Sequence, residues 1–167
     1  MKIMAIHHDS VVDGEGLRTV VFFAGCPHMC KGCHNPESWN INNGTDMTVD
    51  ELVREVASNP LTDVTFSGGE PFLQAKEASE AAKKLKAMNK NIWIYTGYTL
   101  EELLASNDPY KVELLRYCDV LVDGPFLEEE RDLSLTFRGS RNQRIIDLSR
   151  MTVLGGMPVP VREAAGQ

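Results

Sequence analysis

The sequence lacks both a run of basic residues and a long apolar segment. It carries 17 Lys and Arg against 24 Asp and Glu, which gives a net charge of −7 at pH 7. A phosphate backbone requires clustered positive charge, so we do not expect a nucleic-acid partner. No window approaches the length of a membrane span, and residues 1–9 have no signal-peptide pattern. We therefore expect a cytoplasmic protein with no membrane partner.

Cysteine is also scarce, because the chain has four and three of them fall between positions 26 and 33. That distribution suits a metal site in a compartment that keeps thiols reduced better than it suits two disulfides. Hydrophobic residues make up 43% and charged residues 25% of the chain, as in ordinary globular proteins. The 167 residues predict one domain at 1–150, followed by a loosely ordered C-terminal tail at 151–167.

Predicted strands and helices alternate along the chain. Runs of β-branched and aromatic residues predict strands at 18–24, 63–67, 91–96 and 119–123. Capping boxes at Thr48 and Thr99, helical spacing over 76–88 and the pair Asp108-Pro109 predict the helices between them. This alternation predicts an α/β fold with a mostly parallel sheet, whose strand carboxyl ends are the usual place for a site. A closed eightfold barrel takes ~250 residues, so we expect an open, partial (β/α) barrel.

The strongest motif is a cysteine triplet at the end of the first predicted strand. Gaps of three and two residues separate Cys26, Cys30 and Cys33. Three thiolates at this spacing can bind three corners of an iron–sulfur cube and leave the fourth iron open to another ligand. The alternative is a structural zinc site, whose fourth ligand would be Cys118, His28 or His34. Cys118 lies among apolar residues, which favours a buried thiol over a ligand.

A second motif, Ser67-Gly68-Gly69-Glu70-Pro71, directly follows the second predicted strand. Its two glycines allow a sharp turn and a close approach of the backbone to a ligand, and Glu70 supplies a carboxylate. A bare turn would explain the glycines alone. Both motifs, however, stand at the carboxyl ends of strands in an alternating chain, which favours a shared site.

With these two motifs the sequence resembles the radical S-adenosylmethionine (SAM) superfamily, whose signatures are Cys-x3-Cys-x2-Cys and Gly-Gly-Glu-Pro. The resemblance implies an open, partial barrel of the small radical SAM type. It also implies that the cysteine triplet is catalytic and holds a [4Fe–4S] cluster whose open iron binds SAM. The residues that would line the methionine end of SAM are Ser67, Gly68, Gly69 and Glu70, with the motif hydrogen-bonded to the SAM amino group.

Within that superfamily the chain resembles the activating proteins of anaerobic ribonucleoside-triphosphate reductase. Gly32-Cys33-His34-Asn35 carries much of this resemblance, although most superfamily members have an aromatic residue where this chain has Gly32. Further matching stretches lie at 13–18, 93–98, 120–126 and 138–143. The cofactor-binding residues that the resemblance adds are Gly32, Cys33, His34, Asn35, Thr96 and Asp123.

The resemblance implies that one electron from the cluster splits SAM into methionine and a 5′-deoxyadenosyl radical. That radical would take a hydrogen atom from a glycine of the large reductase subunit, and a donor such as flavodoxin would supply the electron. One alternative is an activator of another glycyl-radical enzyme, of the pyruvate formate-lyase type. Another, from a different class, is a zinc-stabilised protein-binding module.

Overall fold

A seven-stranded sheet organises residues 1–150, the part of the chain that this computed structural model describes. The strands run in the spatial order β3-β1-β2-β4-β5-β6-β7. Strands β2, β4, β5 and β6 are parallel, whereas β1, β3 and β7 join the sheet in antiparallel pairs. Their bounds are β1 (Lys2–Ser10), β2 (Arg18–Phe23), β3 (Thr45–Asp46), β4 (Asp63–Gly68), β5 (Ile92–Tyr95), β6 (Val120–Asp123) and β7 (Arg144–Asp147).

Four α-helices connect and cover the strands: α1 (Val49–Ala57), α2 (Ala75–Ala87), α3 (Leu100–Ala105) and α4 (Pro109–Tyr117). Both predicted capping boxes are present, at Thr48 before α1 and at Thr99 before α3. Asp108 caps α4, and Pro109 takes the first helical position, where its missing N–H has no cost. Short 3-10 helices lie at Pro36–Trp39, Ile41–Asn43, Pro71–Gln74, Glu128–Glu130 and Leu148–Arg150. None of the helices in residues 1–150 is long and apolar enough to cross a membrane.

Side chains alternate between the two faces of the sheet, as the period of a strand requires. Ile92 and Ile94 of β5 belong to the main core, which also takes the buried faces of all four helices. Trp93, between them, belongs to a smaller cluster against which Tyr95 packs. The helices therefore cover one face, and the other face remains for a site at the carboxyl ends of the parallel strands.

The sequence predicted the four central strands and the helices between them, with ends that differ by one or two residues. The prediction of a mostly parallel sheet that does not close is confirmed, with all the parallel pairing in the four central strands. The three antiparallel strands were not predicted. β1 includes polar residues and two irregularities in its register, and β3 has only two residues. The predicted tail at 151–167 lies outside the described residues.

Candidate functional site

A cavity of about 320 Å³ opens at the carboxyl ends of β2, β4 and β5, on the face opposite the helices. Phe22 and Tyr95 form part of its wall, and their neighbours in the strands point to the helix side. The cavity brings both sequence motifs together, as predicted. The predicted residues that line it are Cys26, Cys30, Cys33, His34, Asn35, Ser67, Gly68, Gly69 and Thr96.

The cysteine loop, residues 26–35, starts immediately beyond the turn that ends β2. Gly25 makes this turn at φ 89°, in the left-handed region that favours glycine. Its N–H donates to the carbonyl of Ser38 at 2.6 Å, and the N–H of Cys26 donates to the carbonyl of Trp39 at 3.2 Å. The loop is therefore fixed at its start by the 3-10 helix that follows it.

The three loop cysteines are free thiols, each half-buried against the cavity. Burial raises the pKa of the Cys26 thiol, and backbone N–H groups of His28 and Met29 oppose that shift by donating to its sulfur. The N–H of Asn35 donates to Cys33 Sγ at 3.4 Å. Soft sulfur ligands with N–H donors aimed at them are the environment of cluster-bound thiolates, so this donor set fits an iron–sulfur cluster.

The zinc alternative requires three or four ligand side chains around one ion. In residues 1–150 no three His, Cys, Asp or Glu side chains, the three loop cysteines included, are arranged to hold a single metal ion. Cys118, one candidate for the fourth ligand, is 5% exposed in the main core, where burial raises its pKa far above the usual range. The prediction that Cys118 is a buried thiol is confirmed.

The two glycines of the second motif bring β4 against the start of the cysteine loop. A Cβ on Gly68 would lie 2.4 Å from the nitrogen of Phe23, and one on Gly69 would lie 2.4 Å from the carbonyl oxygen of Gly25. The N–H of Gly69 donates to the Phe23 carbonyl at 2.8 Å, and that of Glu70 donates to the Gly25 carbonyl at 2.7 Å. The backbone of β2 and of Gly25 therefore requires glycine at both positions.

The Glu70 side chain is fully buried and is not part of the cavity wall. Its Oε1 accepts from the hydroxyl of Thr96 at 2.8 Å and from the N–H of Gly97 at 2.9 Å, and His28 Nε2 lies 2.6 Å away. Its Oε2 accepts from the N–H of Phe72 at 3.0 Å. A carboxylate offers about four acceptor positions, so protein groups already occupy most of them. Contact between Glu70 and the SAM amino group stays a prediction.

Comparison with known proteins decides the family. Residues 12–146 match the model of the 4Fe-4S single cluster domain. Three relatives are anaerobic ribonucleoside-triphosphate reductase-activating proteins. That of Haemophilus influenzae is 36% identical over 156 residues, covering 87% of this chain and 97% of the relative. Those of Vibrio cholerae and Escherichia coli K12 are 38% and 34% identical, each covering at least 80% of this chain and 90% of the relative. The chain belongs to this family of activating proteins.

Besides Glu70, two of the cofactor-binding residues predicted from that family resemblance, Gly32 and Asp123, do not line the cavity. Gly32 lies in the cysteine loop at φ 78°, and a Cβ there would meet the side chain of Glu128 at 3.2 Å. Asp123 accepts from the buried N–H of Leu100 at 2.8 Å and pairs with Arg144 at 2.5 Å. In this member of the family Asp123 therefore joins β6 to α3 and β7, and its contact with a cofactor stays a prediction.

The cavity also has lining residues that the sequence did not single out. Asp13, Tyr95, Phe126 and Gln143 lie in its wall, each within a stretch that resembles the activating proteins. The ring of Phe126 lies 5.5 Å from that of His34. The resemblance of those four stretches was the only sequence signal for these residues, because none of the four residues belongs to a metal-binding or turn motif.

Proposed function

We propose that this chain is a radical SAM activating enzyme, which cleaves SAM reductively and generates a glycyl radical on the large subunit of anaerobic ribonucleoside-triphosphate reductase. One observation carries the proposal. In a member of the reductase-activating family, three free cysteines and the glycine-rich end of β4 open into one cavity. The family's 4Fe-4S single cluster domain favours a cluster over zinc at these cysteines.

In this proposal Cys26, Cys30 and Cys33 hold the cluster. When bound, the cluster supplies one electron that breaks a carbon–sulfur bond of the SAM sulfonium, which yields methionine and a 5′-deoxyadenosyl radical. The backbone of residues 67–69 and Thr96, which line the cavity, bind and orient the methionine end of SAM. The half-buried cavity excludes bulk water from the radical, which then takes a hydrogen atom from the partner's glycine to give 5′-deoxyadenosine and a glycyl radical.

Apolar side chains beside the cavity support a protein as the second substrate. Val11, Val12 and Leu133 are 65%, 72% and 84% exposed, and they border a second cavity of about 530 Å³. The two cavities share Asp13 and Tyr95 in their walls, so they are adjacent. Exposed apolar side chains grouped beside a site suit a surface that a partner covers. We assign this surface to the glycine-bearing segment of the reductase.

Two details of the proposal follow from the family resemblance rather than from the fold. The electron donor is a reduced flavoprotein such as flavodoxin, and the reaction takes place in the cytoplasm. An activator of the pyruvate formate-lyase type would carry out the same cleavage of SAM on a different protein. The relatives favour the ribonucleotide reductase, because each of the three is named for that partner.

The test mixes anaerobically reconstituted, reduced protein with SAM and the large subunit of an anaerobic ribonucleotide reductase. Electron paramagnetic resonance should detect a glycyl doublet, and one 5′-deoxyadenosine should form for each radical. The signal should need both proteins, and it should disappear when the target glycine is replaced by alanine. Cys30→Ala is the matched control for cluster chemistry. Cleavage of SAM without a radical on the reductase would reject the partner, and a colourless zinc protein would reject the chemistry.

A further inference from the structure

His28, which lies between Cys26 and Cys30 in the cysteine loop, has its ring enclosed by three parts of the fold. Its Nε2 lies 2.6 Å from Glu70 Oε1, and its ring meets the edge of Tyr98 with centroids 4.5 Å apart and an interplanar angle of 76°. On a third side the ring lies against Gly97, where a Cβ would stand 2.5 Å from His28 Cδ2. The histidine side chain is 15% exposed. Carboxylate, aromatic ring and bare backbone together suit an imidazole.

The rest of the loop has few other attachments to the fold. Within residues 1–150, no backbone hydrogen bond joins positions 27–32 to another element, and the one backbone–backbone bond of Cys30 and Cys33 is the bond from the Cys33 N–H to the Cys30 carbonyl. Lys31 lies 3.8 Å from Glu128, but the lysine side chain is 92% exposed, and such pairs contribute little. Met29 has φ 48°, a conformation that a residue with a side chain rarely adopts. The loop between the first two cysteines therefore needs an anchor.

We infer that His28 is that anchor, a positioning residue that fixes the cysteine loop to the ends of β4 and β5 through Glu70. This inference rests on the proposed function, since it assigns the three cysteines to a cluster. An ionised Glu70 carboxylate has no proton to donate, and its two oxygens already accept the N–H groups of Gly97 and Phe72. Nε2 of His28 therefore carries the proton and donates it. Glu70 would then hold the cysteine loop in place through His28, by a contact between residues that are 42 positions apart in the sequence.

Substitution can separate two features of His28, its Nε2 hydrogen-bond donor and the packing of its ring. His28→Leu removes the donor, whereas His28→Gln places an amide N–H near the position of Nε2 but loses the ring. Gly97→Ala keeps both His28 and Glu70 and fills the space that the imidazole occupies. The matched control is His8→Gln, because His8 Nε2 also contacts a carboxylate, Glu55 Oε1 at 3.1 Å, on β1 and α1 and outside the cavity wall.

The experiment measures how fast an iron chelator removes iron from the reconstituted cluster of full-length protein without SAM. The electron paramagnetic resonance spectrum of the reduced cluster is recorded for the same proteins. Loss of a group that orients metal ligands commonly costs 10–100-fold in metal affinity, so we expect about 10-fold faster iron loss in His28→Leu. Gly97→Ala should behave like His28→Leu, His28→Gln should recover part of the difference, and His8→Gln should match the wild type. The spectrum of the reduced cluster should change in His28→Leu and in Gly97→Ala.

Circular dichroism of the cluster-free proteins separates misfolding from a local effect, and Gly97→Ala keeps the test valid if His28→Leu fails to fold. Wild-type iron loss and an unchanged spectrum in both His28→Leu and Gly97→Ala would overturn the inference and leave the proposed function intact. A wild-type protein that assembles no cluster would overturn the proposed function and this inference with it.

Discussion

Replacing Glu70 by alanine should destabilise the protein even when neither cluster nor SAM is bound. The carboxylate is fully buried and accepts from four groups that come from three segments of the chain. Were its only task to bind SAM, its removal would leave the ligand-free protein unchanged. The contacts instead make Glu70 a junction between the cysteine loop and the ends of β4 and β5.

The magnitude follows from the donors that Glu70→Ala leaves without an acceptor. The hydroxyl of Thr96 can rotate to another acceptor, and His28 can turn towards solvent. The N–H groups of Phe72 and Gly97 are fixed in the backbone, and an unsatisfied buried donor costs about 1–3 kcal/mol. Allowing for entry of a water molecule, we expect a loss of about 2–5 kcal/mol in the free energy of unfolding. For a chain of this size that lowers Tm by about 4–20 °C.

Urea unfolding of cluster-free protein, followed anaerobically by circular dichroism, measures this loss. Glu102→Ala is the matched control, because Glu102 accepts from the exposed N–H of Thr99 at 3.2 Å. Water can replace that bond, so the control should lose about 1 kcal/mol or less. A loss below about 1 kcal/mol in Glu70→Ala would refute the reasoning and leave Glu70 as a ligand contact only.

Three further predictions concern the cysteines, the partner surface and β6. Alanine at any of the three loop cysteines should abolish iron binding and SAM cleavage, measured by iron analysis and by 5′-deoxyadenosine formation. Cys118→Ala should retain both, and iron loss in this variant would contradict the assignment. Leu133→Glu should raise the reductase concentration needed for half-maximal radical formation, and an unchanged titration would exclude this surface. Asp123→Ala should cost about 1–3 kcal/mol in urea unfolding, because the buried Leu100 N–H loses its acceptor; an unchanged midpoint would contradict that role.

The sequence by itself determined the local features of this protein. Helix starts at Thr48, Thr99 and Asp108 follow from side chains that bond to backbone groups two or three residues away, so the signal and its partner lie together in the sequence. The cysteine spacing and the glycine pair likewise indicate chemistry from adjacent residues. Alternating strands and helices were enough to predict a mostly parallel, open sheet with both motifs at one edge.

Only the tertiary structure decided what these side chains touch. His28 and Glu70 are 42 residues apart, and Glu70 and Thr96 are 26 apart, so no local pattern pairs them. The glycines were predicted to approach a ligand, yet they also make room for the backbone of β2. Asp123, predicted at the cofactor, has its carboxylate bonded to neighbouring elements. Such contacts depend on how the strands pack, because folding brings together groups that the sequence keeps far apart.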